Sequence, residues 1–114
     1  MSGRDHDRDK RREEEMKRVM ALKIADNERR RQAMETARRL REVRLKLRQL
    51  NLLMQNLCYD LNAINASYRS SLSPSTQRER RDHIERLEHR IREAQWEINS
   101  LEDEERRLER AEFN

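Results

Sequence analysis

Glycine, proline and cysteine each occur once in this chain, as Gly3, Pro74 and Cys58, and only four residues are phenylalanine, tryptophan or tyrosine. A single glycine leaves no loop to cradle a phosphate, and so few turn residues exclude a β-sandwich or an open α/β enzyme, which need breaks every ten or so positions and a supply of β-branched and aromatic side chains. A lone cysteine forms no internal disulfide. No secretory apolar segment and no run of about 18 apolar residues is present, so the expectation is a soluble intracellular protein, of the cytoplasm or cytoskeleton rather than the nucleus. What is abundant is charge. Of 114 residues 44% are charged and 33% are apolar, a balance that belongs to long helices or to disorder.

The net charge of +4 conceals an uneven distribution. Residues 1–36 hold 11 basic and 9 acidic groups, residues 37–69 hold 7 and 2, and residues 70–114 hold 9 and 12. Residues 1–15 have no apolar side chain after Met1 and read as a charged arm, either disordered or a solvated helical overhang. Residues 16–69 read as one long helix. Its apolar pattern is loose from Met16 to Ile24 and becomes regular from Leu40, where Leu40, Val43, Leu47, Leu50, Met54, Leu57, Leu61, Ile64 and Tyr68 alternate spacings of 3 and 4. Nine consecutive seam positions constitute a strong heptad signal.

The break falls at residues 70–76, a hydroxyl-rich segment around Pro74. Two helix starts are open there: Ser73 as cap with Pro74 in the first helical position, or a capping box between Thr76 and Glu79. A second helix over 76–111 carries the ladder Ile84, Leu87, Ile91, Ala94, Ile98, Leu101 and Leu108, which Glu105 interrupts, and residues 112–114 are a tail. With Leu40 and Ile84 both at heptad position a, an antiparallel hairpin brings Arg44 beside Glu102, Arg39 beside Glu104 and Lys46 beside Glu97. The expected fold is therefore all-α, an elongated two-helix antiparallel coiled-coil hairpin with a charged N-terminal arm. Two separate parallel seams are the rival arrangement.

From Gln49 to Tyr68 a single charge, Asp60, occurs in twenty residues. Leu45, Leu52, Tyr59 and Ala66 form a second stripe at position f, facing away from the hairpin partner, and Leu53 at g widens it. A two-stranded coil normally turns charge outward, so this stripe is a candidate surface for docking another helix, from a second copy or another protein. The amides of Gln49, Asn51, Gln55, Asn56, Asn62 and Asn65 suit such a contact, because they hydrogen-bond across it without the desolvation cost of a charge. Trp96, at f of the second helix between His89 and Asp103, is a further candidate anchor or an idle surface residue.

Chemistry is sparse. His83 and His89 lie six residues apart, about 240° round a helix, and so do not form a metal pair; no cofactor is implied. Cys58, with no histidine nearby and no second cysteine, is expected to be buried as a small hydrophobe. The acidic residues lie in solvated patterns, and no catalytic constellation emerges. Arg29, Arg30, Arg31, Arg38 and Arg41 concentrate positive charge just before and into the seam, as contacts for a polyanion or for an acidic filament surface such as a microtubule. A basic stretch followed by leucines every seven residues superficially resembles a basic leucine zipper, which implies a nucleic-acid-binding dimer. That family reads bases with an Asn followed eight positions later by Arg, and here Glu35 stands eight after Asn27. NERRRQ at 27–32 faintly resembles the basic stretch of helix-loop-helix proteins, without the loop that should follow. The function expected is a non-catalytic structural subunit packing into a larger helical or cytoskeletal assembly.

Overall fold

A computed structural model describes residues 2–67 and 72–113. It is all-α, with α1 at Ser2–Ala66 and α2 at Pro74–Phe113. By compactness the chain divides after Arg38, into Met1–Arg38 and Arg39–Asn114.

In the first unit, helix is sustained by composition and by neighbours one turn apart. Arginine, glutamate, lysine, methionine and alanine are good helix formers, and nothing after Gly3 breaks the run. Asp26 accepts ion pairs from Arg29 and Arg30 at 3.5 and 3.4 Å, Glu28 pairs with Arg31 at 2.6 Å, and Glu35 with Arg38 at 2.9 Å. Each exposed pair is worth a few tenths of a kcal/mol, about enough to matter when several act on one helix. Of the two options for residues 1–15, the helical one is observed from Ser2 onward.

The second unit is a hairpin. Arg39 Nε donates to Glu104 Oε1 at 2.7 Å and its Nη2 to Glu104 Oε2 at 3.0 Å, while Lys46 Nζ lies 4.0 Å from Glu97. Rising numbers on α1 meet falling numbers on α2, which makes the pair antiparallel. Between these polar flanks Leu40, Val43, Leu47, Leu50 and Leu57 of α1 and Leu87, Ala94 and Ile98 of α2 are buried. Met54, Leu101 and Leu108 pack against the cluster formed by Val43, Leu47, Leu50 and Ile98. Toward the turn the seam loosens, and Leu61, Ile64, Ile84 and Ile91 are half-buried. Tyr68, the last residue of the expected ladder, lies outside the described residues.

One expected pair is replaced. Arg44 does not take Glu102; its Nε reaches Glu105 Oε2 at 3.3 Å and its Nη2 reaches Glu109 Oε1 at 3.0 Å. Glu105 and Glu109 are four apart and therefore share a helix face, so together they offer both ends of the guanidinium a carboxylate. The residue that interrupts the apolar ladder is thus an ion-pair partner at the edge of the seam.

The turn decides between the two helix starts. Ser73 Oγ accepts a hydrogen bond from the Thr76 backbone N–H at 3.3 Å, and Gln77 N donates to Ser73 O at 2.9 Å. Ser73 is the cap and Pro74 the first helical residue, where its missing N–H costs nothing. The Thr76 hydroxyl is held by Ser73 Oγ at 2.8 Å, which removes it from a box with Glu79. Hence α2 starts two residues before the expected 76, and it continues to Phe113 rather than 111. At the other side of the turn the Ile64 carbonyl accepts both the Ser67 hydroxyl, at 2.9 Å, and Arg80 Nη2 from α2, at 3.2 Å. These bonds satisfy one of the carbonyls that the end of α1 leaves without an intrahelical donor.

Candidate docking surface

The heptad that turns positions a and d of α1 toward α2 turns position f outward. Leu45, Leu52 and Tyr59 are 51%, 61% and 74% exposed, and Leu53, beside them at g, is 37% exposed. Around this stripe Gln49, Gln55, Asn56, Asn62, Ala63 and Ala66 are exposed as well. The outer face of α1 therefore presents mainly apolar groups and amides; from Gln49 to Ala66 its one formal charge is the exposed Asp60, at g beside Tyr59. Nothing in the hairpin covers it, since α2 occupies the opposite side of α1.

Trp96 is 72% exposed on the outer face of α2. It lines a shallow hollow with His89, Arg92, Glu93 and Glu97, and His89 Nε2 lies 2.9 Å from Glu93 Oε1. Because each helix turns its f positions away from the other, Trp96 and the α1 stripe lie on opposite sides of the hairpin. One flat partner surface does not reach both.

Of the arginines singled out for polyanion contact, Arg29, Arg30, Arg31 and Arg38 each carry a carboxylate of their own helix. Arg41 belongs to the hairpin unit. With Arg44, Arg48 and Arg106 it lines an open groove of about 720 Å³ that also includes Leu45, Asn51 and Glu105. Spacing held a signal for this basic groove at the N-terminal end of the stripe: Arg41 and Arg48 are seven apart, on the same column. Cys58 is exposed, contrary to the burial expected of it. It occupies position e, on the rim of the seam, and a two-helix pair covers only a and d. Met16, Val19, Met20, Leu22 and Ile24 of the first unit are also exposed.

Two carboxylates are perturbed by their arginines. The hydrogen bond from Arg39, assisted by its charge, holds Glu104 below the usual carboxylate value of 4.5, and Arg38 does the same to Glu35. In return Glu104 raises the already high pKa of Arg39, and Glu109 with Glu105 that of Arg44. A carboxylate whose pKa is lower in the folded than in the unfolded chain favours folding above the unfolded value and loses that contribution as pH falls through the folded one. The thermal midpoint of the hairpin is therefore expected to fall on acidification below about pH 4.5, and Glu104→Gln to fall less over that window than the parent. Circular dichroism melts across pH check this; identical acid losses in both proteins would remove Glu104 from the account.

No protein-family model, curated protein or solved structure matches this chain. Among the described residues no group of His, Cys, Asp or Glu is placed to hold a metal ion, and no helix is long and apolar enough to cross a membrane.

Proposed function

We propose that this protein is a non-catalytic structural subunit of a larger helical or cytoskeletal assembly, of the cytoplasm, in which the hairpin is a rigid spacer that docks through the outer face of α1. The observation that carries the reading is the uncharged, exposed stripe of Leu45, Leu52 and Tyr59 on a protein that is otherwise 44% charged. Such a stripe in water is unfavourable by roughly 25 cal/mol for each Å² of apolar surface left wet, and docking removes that cost. The arginines of the first unit then supply weaker contact with an acidic surface, such as that of a microtubule. Their pairs with neighbouring carboxylates are exposed, each worth about 0–1 kcal/mol, so a dense polyanion competes with them.

Affinity purification of the tagged chain from its own cells, with nuclease treatment and washes at raised salt, tests this. Helical or filament proteins retained in fixed ratio are the expected result. Loss of every partner to nuclease or salt would instead place the function in the basic stretch and restore the nucleic-acid-binding dimer.

A further inference from the structure

We propose that the outer face of α1 binds the same face of a second copy of this chain, antiparallel, about a twofold axis between Gln55 and Asn56; the inference rests on the docking reading above and names what docks.

The face is palindromic in chemical type about that point. Gln55 and Asn56 stand at the centre, and on column f Leu52 and Tyr59 lie equally far on either side, with Leu45 and Ala66 next. In an antiparallel pair the central column f meets f of the other copy, whereas the flanking columns b and c meet themselves. Leu52 then lies against Tyr59 of the second copy, and Leu45 against its Ala66, large against small. Gln55 faces Gln55 and Asn56 faces Asn56. Each amide carries both donors and an acceptor, so an amide opposite its own copy can satisfy it reciprocally. No charged pair of either sign is forced into the contact: Arg48 meets Asn62, and Asp60, at g on the edge of the contact, lies beside Leu53 of the second copy.

Charge selects the orientation. A parallel pair would set the basic ends of both copies, Arg41, Arg44, Lys46 and Arg48, side by side. The antiparallel pair sends them to opposite ends, with the two Arg48 residues about 22 Å apart along the axis, well beyond a Debye length of ~8 Å. The contact runs about 33 Å from Leu45 to Ala66. At a helix spacing of ~10 Å it covers on the order of 600–700 Å² over both copies, the size of a weak and reversible association.

Sedimentation equilibrium of the full chain from about 5 to about 500 micromolar, the range such a contact area suggests, reads the dimer directly. The wild type is expected to dimerise, and Leu52→Glu and Tyr59→Lys each to weaken the dimer at least about tenfold by setting a charge against an apolar partner. Mixing those two variants should restore association, because glutamate at 52 then faces lysine at 59. In a parallel pair residue 52 meets residue 52, so restoration by mixing Leu52→Glu with Leu52→Lys instead overturns the antiparallel geometry. A wild type that stays monomeric overturns the second copy; if it still retains partners that Leu52→Glu releases, the docking reading survives alone. A dimer indifferent to both single substitutions overturns both.

Discussion

Leu50→Ala is expected to destabilise the hairpin by about 2–5 kcal/mol, the range for truncating a buried leucine whose surroundings only partly collapse. Leu50 is buried in the cluster with Val43, Leu47 and Ile98, against which Met54, Leu101 and Leu108 also pack. A two-helix hairpin has few other layers to share the loss, and small domains have a net stability of only about 5 kcal/mol or somewhat more. The variant should therefore be substantially unfolded at room temperature. Leu45→Ala removes the same atoms from a side chain that is 51% exposed and belongs to the docking stripe, and in the free monomer it should move stability by no more than about 0.5 kcal/mol. Urea titration followed by far-ultraviolet circular dichroism, at concentrations low enough to keep the chain monomeric, measures both. Equal losses at Leu45 and Leu50 would mean that α2 does not distinguish the two faces of α1, and the hairpin seam would have to be abandoned.

The second large effect is on binding with folding preserved. Replacing Leu52 and Tyr59 together by glutamate should abolish association, whether with a second copy or another helical protein, and leave helicity intact. Both side chains point into solvent in the hairpin, at 61% and 74% exposure, and glutamate is a good helix former. In the docked state each new carboxylate would lose water without gaining a partner, at a cost of several kcal/mol. Two such sites amount to a loss of at least about a hundredfold, since 1.36 kcal/mol is a factor of ten. Trp96→Ala, on the opposite side of the hairpin, should leave that association unchanged. Should the double variant assemble normally while Trp96→Ala does not, the docking surface is on α2, and the reading of α1 fails.

The hairpin was legible because its signal is local and redundant. Fifteen described residues from Leu40 to Leu108 recur on each helix at alternating steps of three and four, broken only at Glu105, and two independent g-column pairs, Arg39 with Glu104 and Lys46 with Glu97, agree with the frame that the apolar residues set. Where the reading failed, the cause was a choice between neighbours that periodicity does not weigh. Arg44 had Glu102, Glu105 and Glu109 within a turn or two, and the fork of two carboxylates one turn apart outcompetes the single one. Ser73 and Thr76 are both plausible caps, and which hydroxyl caps and which one is capped depends on where Pro74 enters the helix. The habits of its residue type point Cys58 inward, whereas its heptad position puts it on the rim, where it is exposed. For residues 2–15 there is no apolar period to read, and helix there rests on composition and charge.

Spacing alone marks the exposed stripe, whereas its isolation from Trp96 follows from the hairpin. An f position says only that a side chain faces away from its own partner helix. Two helices that each face away from the other put their stripes on opposite sides of the molecule.

Glu105 is the one defect in an otherwise repetitive ladder, and repetition is what allows two helices to slide. Leucines and isoleucines every seven residues are interchangeable, so a shift of one heptad would rebuild nearly the same apolar contacts. Glu105 is not interchangeable. Moved seven residues along α1 from its place beside Arg44, it would come level with the turn that carries Leu50, a carboxylate set against hydrocarbon with its arginine left behind. The flaw works as an index mark, giving a uniform zipper a single tooth that closes in one alignment.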